Sequence, residues 1–284
     1  MSLRTLGAVL LLPLILGVVS CKQKKEQTAQ ALPLDTIYVQ DSIPFFQGMD
    51  YPHLYVDIEY IYPEDKALTV PFNSIVFNDT VSSSARQAVD RFIAQITRDF
   101  TPDTTDVAEN WGKSLAEMSS SSDAYVLNTF TSLHSDVLYQ DDQIISVEVA
   151  SELFPGGAAH GFHTNTFYNL TLPQGRIITE SDLFKDNYKE ELHKILLEQL
   201  RLDYEKQSPE DRGGVEADFY TFFTTESVVP NGNFAVEPDG LSYCYNEYEI
   251  APYAYGAVYV FIPYELLQGI AKPESPLKHL IFGK

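Results

Sequence analysis

The chain has 284 residues, 40 Asp and Glu against 19 Lys and Arg, and a formal net charge of −21. A field of that sign repels nucleic acid and anionic lipid surfaces and attracts cationic partners at rates that salt lowers, although an acidic surface also serves solubility alone. Cys21 and Cys244 are the only two cysteines, which excludes a disulfide-dense scaffold and leaves stability to a hydrophobic core.

The N-terminus carries one positive residue, Arg4, and an apolar run from Leu6 to Val19 that is too short for a permanent transmembrane helix. The run ends in Val18-Val19-Ser20-Cys21, which resembles a bacterial lipobox. Residues 1–20 are therefore expected to be a lipoprotein signal peptide, with Cys21 lipidated. Cleavage there removes Arg4 and no acid, moving the charge from −21 to −22. Lys22 to Leu34 is rich in Lys, Gln, Glu and Ala without a hydrophobic period, and residues 21–50 are expected to form a flexible tether. No later stretch reaches 18 uninterrupted apolar residues, so the membrane is expected to be met through the lipid alone. The expected place is the cell envelope, lipid-anchored and facing the periplasm or the exterior. Cys244 then lacks a partner, and between Tyr243 and Tyr245 in an apolar strand it reads as a buried, inert thiol.

From His53 to Tyr62 apolar and polar residues alternate, with Leu54, Val56, Ile58 and Tyr60 on one face, the pattern of a half-buried strand. Ser82 to Ser84 offer N-caps for a helix whose stripe is Val89, Phe92, Ile93, Ile96 and Phe100. Val107, Trp111, Leu115 and Met118 continue helical spacing in a second helix, ended by the serines at 119–122. Ala124 to Leu138 and Ile144 to Leu153 read as long strands joined by a turn at Asp141 and Asp142, an antiparallel hairpin. Three glycines and a proline in Phe154 to Gly161 cannot sit in a regular ladder and form a shaped loop. Phe162 to Leu172 resumes as a strand, and Thr179 with Asp182 has the spacing of a capping box. Tyr188 to Tyr204 forms a helix on Leu192, Ile195, Leu196 and Leu200. The charged stretch Gln207 to Gly214 reads as a loop, and the chain returns to strands at Asn233–Val236, Leu241–Tyr245 and Ala257–Ile262, before Pro263 opens a short helix. The expected class is α+β, antiparallel sheets with helices packed on one face, in two small subdomains at 51–143 and 144–284.

The series Gly156-Gly-Ala-Ala-His-Gly161, Phe167-Tyr-Asn-Leu170, Leu183-Phe184, Tyr248 to Gly256 and Ile262-Pro-Tyr-Glu-Leu266 resembles the RsiV-like extracellular domain family. That family includes the ectodomain of a lysozyme-sensing anti-sigma factor and the non-catalytic part of peptidoglycan deacetylases. The resemblance covers residues 145–284, with 51–143 similar to the companion domain that precedes it. It departs at Ala158 and Ala159, doubled where the family has a single alanine before the histidine. No Thr-Phe-Asp-Asp metal motif is present, so deacetylase chemistry is not expected, and neither is sigma-factor sequestration.

Catalytic signatures are weak. His160 and His163 stand three apart, which on a strand puts them on opposite faces, so a shared metal with acids such as Glu152 is not expected. His134 and Asp136 near Asp141 and Asp142 read as a solvated turn rather than a carboxylate–imidazole cluster. No Gly-x-Ser-x-Gly elbow occurs. No catalytic residue, metal ligand or cofactor is assigned. Tyrosines crowd residues 243–259 around Pro252, rigid amphipathic rings suited to a protein or a sugar, with Tyr243 and Tyr245 expected to pack inward. The resemblance implies that this stretch lies beside the glycine loop, giving a partner-binding surface of Gly156, Gly157, His160, Gly161, Tyr248, Glu249, Pro252, Tyr253 and Tyr255. The expected function is non-catalytic binding of a cationic extracellular protein, lysozyme-like, or of cell-wall glycan. A peptidoglycan- or glycan-processing enzyme or accessory domain is the alternative, and a structural envelope lipoprotein a third reading.

Overall fold

The computed structural model describes residues 32–119, 122–208 and 218–283. The expected signal peptide, Cys21 and the part of the expected tether up to residue 31 lie outside the described residues, as does most of the loop expected at 207–214.

Eleven-residue strands open the fold: β1, Leu34–Pro44, and β2, His53–Pro63, paired antiparallel. Residues 34–44, expected to belong to a flexible tether, are therefore a paired strand. Ile37, Val39 and Ile43 pack on the core, and β2 supplies the pairing that this polar, half-buried sequence needs to stay extended. Helices α1, Lys66–Phe77, and α2, Ala85–Phe100, follow. Asp65 caps α1 by accepting from the Ala67 N–H, and Ser84 caps α2 by accepting from Gln87. The helix expected through Val107 and Met118 is broken into α3, Thr104–Trp111, and α4, Leu115–Ser119, because Gly112 turns left-handed at φ +66° and stops the ladder. Residues 122–127 form a 3-10 turn, so β3 starts at Thr129 rather than Ala124 and runs to Gln140. Strands β4, Ile144–Phe154, and β5, Phe162–Thr171, complete a five-stranded sheet in chain order, antiparallel except for the parallel β2–β3 pair that the helices cross over to make.

The expected boundary at 143/144 falls in the β3–β4 turn, so both halves share this sheet. Two main cores form, and the first draws on both halves. Leu54, Val56, Ile58 and Tyr60 of β2 meet Leu68, Phe72, Ile75 and Val89 of α1 and α2, together with Ile145, Val147 and Val149 of β4. The second core lies under a short helix α5, Glu180–Leu183, a long helix α6, Tyr188–Lys206, and a small helix α7, Phe219–Phe222. Leu192, Leu196 and Leu200 of α6 pack against a three-stranded antiparallel sheet of β6, Phe234–Val236, β7, Gly240–Tyr245, and β8, Val258–Pro263. Each fully buried leucine contributes roughly 1.5–3 kcal/mol. Two short helices, α8, Tyr264–Leu267, and α9, Lys278–Ile281, close the chain. The class is α+β as expected.

The alternation of a strand decides how the two sheets meet. On β4 the odd residues Ile145, Val147 and Val149 face the α1–α2 core, while Ile144 and Ser146 face the second sheet. Buried Asn169 of β5 joins the sheets, its Nδ2 donating to the Phe234 carbonyl at 2.7 Å and its Oδ1 accepting from Val236 N–H at 3.1 Å. The outer edge of β5 is filled by side chains instead of a sixth strand. Asn246 accepts from the Asn165 N–H, Asn233 accepts from the Phe167 N–H, and both amides donate to the Asn165 carbonyl.

Candidate functional site

Glycine is required at the start of the 155–161 loop by a close approach. A Cβ on Gly156 would overlap the Leu127 carbonyl group and come within 2.9 Å of its Cα. Gly156 N–H donates to Thr129 Oγ1 at 3.1 Å, and Gly157, at φ +78°, donates to the Val126 carbonyl at 2.7 Å. These two glycines therefore seat the loop on the 122–127 turn and lie apart from the tyrosines.

The other end of the loop reaches them. The His160 ring packs on Tyr253 at 4.8 Å, and its Nδ1 donates to the Gly161 carbonyl at 2.9 Å. Tyr253 hydroxyl donates to the same carbonyl at 3.4 Å, and its ring is stacked by Tyr248 at 5.3 Å. Tyr248 is 65% exposed and holds φ +68°, a left-handed conformation that a bulky side chain rarely adopts and that costs on the order of 1–3 kcal/mol. Phe162, exposed at the start of β5, adds an edge contact to His160. His163 lies between two acids, with Nε2 3.0 Å from Glu152 and Nδ1 3.2 Å from Glu247, which ties the 246–256 loop to β4 and β5. The patch is thus a run of three rings, His160 and Tyr248 exposed and Tyr253 half-buried between them, beside a carboxylate–imidazole–carboxylate bridge.

The remaining expected positions go elsewhere. Tyr255 faces inward, edge-on to Phe222 at 4.9 Å and Phe223 at 5.9 Å, with its hydroxyl donating to Gln207 Oε1 at 3.0 Å. Glu249 accepts from Asn231 Nδ2 at 3.3 Å, and Pro252 is exposed next to Tyr253. Tyr243 and Tyr245 are buried, as expected from alternation. Cys244 points the other way into a small apolar cluster with Phe167 and Ala235, and burial above all pushes its thiol pKa up to about 12, away from nucleophilic use.

His134 lies 3.7 Å from Asp57 of β2 rather than near the turn acids. Asp141 is instead held by the C-terminal helix. His279 Nε2 is 2.7 Å from its Oδ2, which also accepts from the Tyr139 hydroxyl at 3.0 Å. Burial opposes the charge on Asp141, yet hydrogen bonds from Gln143, His279, Ile144 and Tyr139 outweigh it and hold the carboxyl below its ordinary range.

A groove of about 710 Å³ on the open face of the five-stranded sheet was not legible in the sequence. Tyr55 and Phe130 are paired across β2 and β3, their rings parallel within 9° at 4.8 Å, and Phe154 of β4 is opposite Phe130. Asp57, Ser132 and Glu152 form the next row along the same strands. Tyr125 closes one end against Phe130 at 6.2 Å. Glu152 links the groove to the His163 bridge.

Residues 181–265, from α5 into α8, match a family model described as Protein of unknown function (DUF3298). The chain is similar to the crystal structure of a member of the DUF3298 family from Bacteroides fragilis, at 23% identity and a TM-score of 0.71, covering 90% of this chain and 99% of that one. It is also similar to the crystal structure of a DUF3298 family protein from Pseudomonas aeruginosa, at 20% identity and a TM-score of 0.57, covering 87% of this chain and 97% of that one. At these identities the likeness is one of fold. No curated protein matches the chain.

Proposed function

We propose that this protein is an extracytoplasmic lipoprotein, anchored through Cys21, that binds a cationic envelope-directed protein of lysozyme type without transforming it. The observation that carries the reading is the run of His160, Tyr253 and Tyr248, its outer two rings exposed, beside Glu152 and Glu247, on a chain of net charge −21. Rigid exposed rings give contact area at low entropic cost, and the acids supply the sign of the partner. The RsiV-like resemblance supports the same partner through the 156–161 and 248–256 motifs.

The test is titration of lysozyme against the full chain in detergent at low and raised salt. Binding that weakens with salt, and by on the order of tenfold or more in Tyr253→Ala, supports the reading. No binding, or binding indifferent to both salt and Tyr253, removes it. Turnover of muropeptides by the purified chain would favour the glycan-processing alternative. The anchor has its own check: mass spectrometry of the membrane-extracted protein should find the first residue to be a lipidated Cys21, and Cys21→Ser should release the chain from the membrane.

A further inference from the structure

We propose that the groove on the open sheet face is a second binding site, for the guanidinium and ammonium groups of a basic peptide segment. It is built as two rows. Tyr55, Phe130 and Phe154 make an aromatic row across three strands, and Asp57, Ser132 and Glu152 make a polar row parallel to it, two residues further along each strand and therefore about 7 Å away. Phe130 and Tyr125 remain 36% and 53% exposed, apolar surface left open beside carboxylates.

Charge complementarity selects the occupant. Among the described residues that line the groove there is no lysine or arginine, and the near partners of Asp57 and Glu152 are the imidazoles of His134 at 3.7 Å and His163 at 3.0 Å. A cation lying between the rows meets ring faces or edges on one side and a carboxylate on the other, the arrangement that rewards a flat guanidinium most. A neutral sugar would find side-chain donors in the Gln40 amide and in the hydroxyls of Tyr55, Tyr125, Thr131 and Ser132, but it gains nothing from the net charge of −21, whereas a cation gains from it. The volume of about 710 Å³ holds several side chains, which matches a peptide segment better than a single ion. The inference takes the sign of the partner from the function proposed above and assigns it a further contact area that shares Glu152 with the tyrosine patch.

The experiment uses the full chain in detergent and a peptide alternating arginine and glycine, with a citrulline peptide as its uncharged isostere and chitotetraose as the sugar probe. The arginine peptide should bind and the other two should not. Phe130→Ala, Tyr125→Leu and Asp57→Asn should each weaken it, by on the order of tenfold for Asp57→Asn and Phe130→Ala. Glu274→Gln, an exposed acid between α8 and α9 with the same loss of charge, should change it by less than about twofold. Equal effects of Asp57→Asn and Glu274→Gln would reduce the binding to general attraction and overturn the site, as would binding of chitotetraose alone. If Phe130→Ala does not fold, Tyr125→Leu decides, since that ring is largely exposed. Loss of lysozyme binding in Tyr253→Ala, with peptide binding untouched by all three groove variants, would sink the groove and leave the tyrosine patch standing. Groove-dependent peptide binding without lysozyme binding would do the reverse.

Discussion

Replacing Gly156 by alanine tests whether that glycine serves the fold or a ligand. The added methyl has nowhere to go, because every atom it meets belongs to the Leu127 main chain. Relief requires moving the loop off the 122–127 turn, which loosens Gly156 N–H to Thr129 and Gly157 N–H to Val126. Two hydrogen bonds at roughly 0.5–1.5 kcal/mol each, with overpacking at roughly 1–3, give a destabilisation of about 2–6 kcal/mol. Gly157→Ala is the matched comparison. Its site has open space around it, and the only penalty is a left-handed φ of +78°, worth about 1–2 kcal/mol. Urea denaturation of both variants at pH 7, followed by tryptophan fluorescence and circular dichroism, should place Gly156→Ala well below Gly157→Ala in midpoint with an unchanged slope. A Gly156→Ala cost equal to or smaller than that of Gly157→Ala would refute the close-approach argument.

Further outcomes follow from the buried polar contacts. Asp141→Asn should cost roughly 1–3 kcal/mol at pH 7 by weakening the link to His279 and the turn amides. A carboxyl whose pKa is lowered on folding stabilises the native state above its unfolded value, about 4, and that contribution disappears as pH falls through the folded value. Variant and parent should therefore converge toward pH 3 in urea titrations, and a gap that stays constant would contradict the assignment. Asn169→Ala should cost about 2–4 kcal/mol, since it strands the Phe234 carbonyl between the sheets while Val236 N–H keeps Ser146, and Ser146→Ala should cost less. Cys244, its thiol pKa raised to about 12, should resist iodoacetamide in the native protein at pH 8 and react once urea unfolds it. Labelling of Cys244 under native conditions, read by peptide mapping, would show that the strand opens locally.

The parts of the fold legible in the sequence are those whose burial is expressed over short range. Leu192, Leu196 and Leu200 declare α6 by themselves, and Leu54 to Tyr60 declare β2. Helix α1 is masked in the sequence although Leu68, Phe72, Ile75 and Val76 have helical spacing, because Pro71 interrupts the run and buried Asn73 breaks the apolar stripe. Asn73 is tolerated there only through distant partners: it accepts from Tyr60 and donates to the Ser82 and Ser84 carbonyls. Strand β1 was hidden for a related reason, since Asp35, Gln40, Asp41 and Ser42 dilute its three core-facing residues and the pairing with β2 supplies what composition does not.

The site shows the same limit. Tyr248, Tyr253 and His160 were named from their residue types and do converge, but the glycine loop has two ends, and no local signal says that Gly156 and Gly157 face the 122–127 turn. Glu247 was overlooked because it matters only once the 246–256 loop meets β5. The aromatic row depends on the parallel register of Tyr55 with Phe130, and although residue spacing marks the helices from Ala85 to Ser119 of the crossover, nothing local says that it returns β3 parallel to β2.

The amides that fill the border of β5 have a consequence for self-association. Asn233 and Asn246 already occupy main-chain groups that a neighbouring molecule would need, whereas among the described residues no strand pairs with the far side of β1. Copies of this chain are thereby denied the head-to-tail stacking, one border onto the opposite one, that builds endless fibres. For the five-stranded sheet the extension left open is β1 meeting β1, a two-fold arrangement that is complete at the dimer.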